Sequence, residues 1–141
     1  MYLYLIAFLA TLTPAAHGRT AGCVIVVNDS NAFYSATAVQ VADLFLEKRT
    51  TWQNGSHMTP VDQAPEAQVR EEFSVAVLGR PLQAVQAYWR GKIYKEDAVP
   101  PPELASDPAV IQYVQAHAEA IGYVSPETAL PTGVHAIVIM R

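Results

Sequence analysis

The sequence holds one cysteine, Cys23. No intrachain disulfide can form, so any fold must rest on its core. Positive charge is sparse and unclustered: 9 Lys and Arg stand against 13 Asp and Glu, for a net charge of -4. That argues against nucleic acid, whose phosphates are met by grouped basic side chains. His17, His57, His117 and His135 show no paired metal-ligand spacing. There is no Ser-His-Asp order, no nucleophile elbow and no Gly-rich phosphate loop. Glu71 and Glu72 are adjacent, but neighbours on a helix point apart, so they read as a solvated face. No enzyme activity, metal or cofactor is therefore expected. Internal repeats and low-complexity segments are also missing.

Long apolar runs are scarce. Tyr2 to Leu12 is uncharged and apolar, but a membrane-spanning helix needs about 20 such residues. Small residues at Ala16 and Gly18 suit a signal peptidase, so residues 1–18 are expected to be a signal peptide and 19–141 one domain. The mature protein would then be periplasmic or secreted. No Lys or Arg precedes the apolar run, which leaves an uncleaved anchor or buried helix as the alternative. Thr20-Ala21-Gly22-Cys23 faintly resembles a lipobox, but Thr20 replaces the usual Leu. Cys23 reads better as a small apolar residue opening a strand.

What is present is a core: hydrophobic residues make up 51% of the 141 residues, enough for one domain without staples. Val24 to Val27 is β-branched and apolar throughout, the pattern of a strand buried on both faces. Asn28-Asp29-Ser30-Asn31 breaks it with turn chemistry. Ser35 is the expected N-cap of a helix over Ala36–Lys48, with Val41, Leu44, Phe45 and Lys48 on one face. Trp52 either stacks on a ligand or seals a sheet edge or helix end. Asn54-Gly55 is a turn, and His57 to Asp62 reads as a strand. A second helix is expected to open at Pro65 and Glu66, burying Val69, Phe73 and Val77 and stopping at Gly79. A third starts at Pro81, with Val85, Tyr88, Trp89 and Ile93 inward, making an αα-hairpin with the second. Pro100-Pro101-Pro102 must be stiff and extended. Ser106 or Asp107 caps a fourth helix with Val110, Ile111 and Val114 inward. Ile121–Val124 and Val134–Met140 read as the last strands. Strands alternating with helices predict an α/β sandwich.

Several short motifs stand in a fixed order: Val26-Val27-Asn28; Ala42 to Leu46 with Lys48 before Trp52; Gly55; Val61-Asp62-Gln63; Arg70 with Phe73; Tyr88-Trp89; Pro101-Pro102; and Ile121-Gly122-Tyr123-Val124. In that order they resemble the small single-lobe relatives of phosphate ABC-transporter substrate-binding proteins, which have the type 2 periplasmic binding protein-like fold. The resemblance runs from about Val24 to the last strand. It implies a three-layer α/β sandwich, with a mixed sheet of about four to five strands flanked by helices. It also implies a non-enzymatic binding role, with phosphate or another small anion as ligand and ABC transport as the setting. Full-length members close two lobes on the anion, and this chain has length for one, so a second subunit would supply the other. Members also carry an Arg and a Ser-Gly-Thr stretch opening a helix, where hydroxyls and free N–H groups hold the oxyanion. Asp62-Gln63-Ala64-Pro65-Glu66-Ala67 stands in that place. It has no hydroxyl, Pro65 has no N–H, and two carboxylates repel an anion, so phosphate binding at that spot does not carry over.

Two candidate binding elements remain. Asn28, Asp29, Ser30 and Asn31 follow a strand, where open α/β sheets place ligands; the same residues also serve as ordinary turns and caps. Arg70 could pair with an anion or with Glu66 four residues before it. The competing reading is an interaction module that kept the lobe and lost the ligand. It would present Tyr88, Tyr94, Tyr113 and the proline loop to an envelope protein or a second copy. A concave, polar, Arg-containing pocket at strand ends would favour the first reading, and an exposed apolar patch the second.

Overall fold

The computed structural model describes residues 22–140. The expected signal peptide lies outside them. A five-stranded sheet runs in the order β2 (Ser35–Thr37), β7 (Val134–Met140), β1 (Val24–Asn28), β6 (Ala120–Val124), β3 (Thr59–Pro60). β1 is antiparallel to both neighbours, with Val24 opposite Val124 and Ile25 opposite Ile137. β2 runs parallel to β7, and β3 parallel to β6. Four strands therefore point one way, and the central β1 alone points back.

Side-chain alternation divides the core into two faces. Ile25, Val27, Ile121, Tyr123 and Ile137 face α1 (Ala38–Phe45) and α2 (Gln68–Ala76) through Val41, Phe45, Val69 and Phe73. Phe73 stacks on Tyr123 with centroids 3.9 Å apart. Val24, Val26, Val124 and Val134 face Val110, Ile111 and Val114 of α4 (Asp107–Ala116). Gly122 lets α4 approach this closely: a Cβ there would stand 2.6 Å from Val110 Cγ1. The result is the expected three-layer α/β sandwich. α3 (Leu82–Glu96) lies outside α2, burying Val85 and Trp89 against Leu46.

Several boundaries differ from the sequence reading, each for a local reason. The first helix starts at Ala38, because Ser35–Thr37 pairs with β7 instead. Thr37, not Ser35, is the N-cap. Its hydroxyl accepts from Gln40 N–H at 3.2 Å, and Gln40 Oε1 accepts from Thr37 N–H at 2.9 Å, a full capping box. The helix stops at Phe45 and Lys48 is exposed, since Glu47 turns left-handed at φ 55°. The strand expected over His57–Asp62 splits. Thr59–Pro60 stays in the main sheet, while β4 (Asp62–Gln63) leaves to pair in parallel with β5 (Glu103–Leu104). Pro102 O, at the end of the proline run, accepts Asp62 N–H at 2.8 Å. The second helix begins at Gln68 because Ala64–Ala67 first closes a turn. Ile93 is 43% exposed, as the last turns of α3 overrun its packing partners. Trp52 is buried 4.9 Å from Phe33, which makes it a packing residue.

Candidate functional site

The strand directions decide where a ligand crevice belongs. In open α/β sheets it lies outside the carboxyl ends of the parallel strands. Here those are the ends of β2, β3, β6 and β7, at the edge where β1 begins. The Asn28–Asn31 loop follows the one reversed strand and sits at the opposite edge.

That loop is engaged with the protein itself. Asn28 Nδ2 donates to Val114 O at 2.9 Å and Gln115 O at 3.1 Å, satisfying carbonyls at the end of α4. Its Oδ1 accepts from Ser30 N–H at 2.9 Å, an Asx turn. Asn31 Nδ2 donates to Ala118 O at 2.6 Å. Asp29 accepts from Gly133 N–H at 3.1 Å and faces His135 Nδ1 at 2.8 Å. Ser30 is exposed.

Arg70 lies at the other edge and is 6% exposed. It does not pair with Glu66. α2 turns it inward beside Val69, where Nε meets Asp62 Oδ1 at 3.1 Å and Nη1 meets Glu103 Oε2 at 2.9 Å. Nη1 also donates to Gln63 O at 2.5 Å. The parallel pairing of β4 and β5 sets Asp62 beside Glu103, so both carboxylates reach one guanidinium. Asp62 Oδ1 further accepts from the Tyr123 hydroxyl and from Gln63 N–H. Gln63 Nε2 extends the network to Asp107 Oδ1 at 2.7 Å and Tyr123 O at 2.9 Å.

Burial sets the electrostatics. It pushes the Asp62 carboxyl above the usual carboxylate range, with Arg70 and the Tyr123 hydroxyl pulling the other way. Burial, then the Asp62 charge, raises the Tyr123 phenol. Burial also acts upward on Asp107, but donors from Gln63, Ser125 and Thr128 together hold that carboxyl below its ordinary value. Cys23 is pushed up to about 12, first by burial and then by Glu72, so its thiol is inert at neutral pH.

Beside Arg70 opens a depression of about 310 Å³, with Asp62, Arg70 and Glu103 on one wall and Gln86, Trp89 and Arg90 of α3 on the other. Two guanidiniums and two carboxylates balance there. Arg90 is exposed and has no ion-pair partner among the described residues. Sequence reasoning missed Gln86, Arg90 and Glu103. The Arg70–Glu103 contact spans 33 positions, and no periodicity announces it.

The start of α2 behaves as its composition dictates. Its N-cap, Ala67, offers no side-chain bond. A second depression nearby, of about 240 Å³, is lined by Gln68, Glu72, Ser125 and Glu127 among others, which places two carboxylates near that helix end. Among the described residues, no group of His, Cys, Asp and Glu is placed to hold a metal ion, and no helix is long and apolar enough to cross a membrane.

No protein-family model and no curated protein matches the chain. Solved structures do. An ABC-type phosphate transport receptor from Vibrio cholerae superposes with a TM-score of 0.63 at 20% identity, covering 82% of this chain and 45% of that one. The fold is that of one lobe of the periplasmic binding protein-like kind. A phosphate-bound substrate-binding protein from Clostridium perfringens gives a TM-score of 0.60 at 20% identity, covering 82% of this chain and 44% of that one. PstS from Borrelia burgdorferi gives 0.63 at 12% identity, over 84% and 47%. The chain thus spans less than half the length of each of these binding proteins.

Proposed function

We propose that this chain is a small-solute-binding lobe of the substrate-binding-protein kind, non-enzymatic and working outside the cytoplasmic membrane. A small anion is its ligand at the depression beside Arg70. One observation carries the reading: a guanidinium more than nine-tenths buried lines a concave site at the carboxyl edge of the sheet, with Arg90 across from it. Arginine forks suit carboxylates and phosphates. Hydrogen phosphate is the first ligand to try, because it can accept from the guanidiniums while its own O–H donates to a carboxylate of the same wall. The structural neighbours named for phosphate transport support the choice of ligand and an ABC-transport setting. In this proposal Arg70 stays a ligand residue. The Asn28–Asn31 loop serves instead as a tie between β1, α4 and β7.

A second reading, an assembly module, is favoured by one feature. Tyr94 is 90% exposed and Val99 80% exposed, beside the proline run. Of the other aromatics suited to that role, Tyr88 donates its hydroxyl to Leu46 O at 2.6 Å and Tyr113 stacks on His117. The partner would be an envelope protein or a second copy. Titration calorimetry with phosphate separates the readings. Saturable heat, weakened severalfold in Arg90→Gln, is expected. If millimolar phosphate gives no heat while Tyr94→Ser abolishes a self-association seen in sedimentation, the assembly reading replaces the first.

A further inference from the structure

The Arg70 depression has unspent hydrogen-bonding capacity of both kinds. Arg70 uses Nε and Nη1 on Asp62, Gln63 and Glu103. Its Nη2 has no acceptor among the described residues, although the side chain is only 7% exposed. Asp62 directs Oδ1 to Arg70, Tyr123 and Gln63, while its Oδ2 has no donor among the described residues. Asp62 is 5% exposed. Buried polar groups are rarely left unpaired, because each orphan costs its full desolvation. Two such groups, one donor and one acceptor, belong to side chains lining one depression.

Charge and size narrow what would satisfy them. A plain anion placed on Arg70 meets Asp62 and Glu103 on the same wall, and a plain cation meets Arg70 and Arg90. The volume, about 310 Å³, is more than a tetrahedral oxyanion fills. It stands at the lower edge of the roughly 300–1,000 Å³ typical of organic-ligand sites. Apart from Gln86 the remaining lining is apolar: Trp89, Ile93, Pro100 and Pro101.

We infer that the depression takes a zwitterion of the α-amino-acid class. Its carboxylate lies on Arg70 Nη2 and Arg90, its ammonium on Asp62 Oδ2 and Glu103, and its side chain on Trp89 and the prolines. This rests on the small-anion reading above and deepens it, since the anionic group alone is not enough. The charges then pair in alternation.

The test is calorimetric titration of the full chain with leucine, phenylalanine and serine, alongside phosphate and acetate. For each amino acid that gives heat, the N-acetyl derivative removes the ammonium and the amide removes the carboxylate. The expected result is an amino acid bound at least about tenfold more tightly than either of its derivatives and than phosphate or acetate, as loss of one charge-assisted contact predicts. Arg90→Gln and Glu103→Gln lie on exposed or half-exposed side chains and keep the buried Arg70–Asp62 pair. Each should weaken the amino acid, whereas Glu103→Gln should bind the N-acetyl derivative as well as or better than the parent does, because it removes a repelling charge and that derivative has no ammonium to lose. If phosphate, acetate or either derivative binds as well as the amino acid, the zwitterion inference fails and the anion reading stands. If nothing binds up to millimolar concentration, both fail.

Discussion

Where β3, β6 and β7 end, Arg70 and Asp62 are buried side by side and joined to Gln63, Tyr123 and Asp107. Where β1 ends, Asn28 and Asn31 stand half-buried and Asp29 and Ser30 exposed, and the loop spends its hydrogen bonds on nearby backbone and on His135. Both edges are polar, yet the cost of disturbing them differs. At the first, removing one partner strands a charge that is more than nine-tenths buried. At the second, solvent replaces much of what is lost. An exposed Asn-rich loop that looks like a binding loop is the more replaceable of the two, and the single arginine is the more committed.

Single substitutions can break that comparison. Arg70→Met should have the largest effect, about 3–5 kcal/mol of stability in denaturant unfolding, because Asp62 stays buried without its partner. Adding Asp62→Leu to it should restore part of the loss; no recovery would mean that Arg70 acts through packing rather than charge. Asn28→Ala should cost about 1–2 kcal/mol, since two carbonyls at the end of α4 lose their donor in a half-buried place.

Asp107→Asn is a smaller change, near 1 kcal/mol at neutral pH, and its signature is pH. The folded state holds Asp107 below its ordinary pKa. Its stabilisation is therefore complete above the usual carboxylate range and is lost as pH falls through the lowered value. Asp62 has the opposite sign. Its folded pKa is raised, so its contribution is complete below the usual range and declines as pH rises through the raised value. Thermal melts from acid to neutral pH should show a shallower acid-side loss in Asp107→Asn than in the parent. An unchanged acid limb would contradict this assignment. Ser30→Ala should fall within about 0.5 kcal/mol of the parent; a larger effect would make that loop more than a surface tie.

The layers, the buried strands and most helix faces were legible because they depend on local periodicity. Val24–Val27, the Val69–Phe73–Val77 spacing and the Val110–Ile111–Val114 face all pack as the pattern requires. The site was much less legible. Arg70 stood out in the sequence, but its local partner, Glu66, was the wrong one. Its true partners come together only when the chain leaves the main sheet after Pro60 and pairs Asp62 with Glu103. The direction of β1 was equally invisible. A run of β-branched residues fixes burial but not orientation, and orientation is what moves the Asn28–Asn31 loop to the far edge of the sheet.

β1 has a further consequence, in time rather than in space. It pairs Val24 with Val124 and Ile25 with Ile137, so the central strand of the sheet waits for residues about a hundred positions downstream. Contacts of such sequence separation pay loop-closure entropy before they return any stability, and they slow folding. During synthesis the apolar first strand therefore emerges long before either neighbour exists. A chain truncated before β7 would keep α1 to α4 yet leave one flank of β1 open for pairing, which makes aggregation its expected fate.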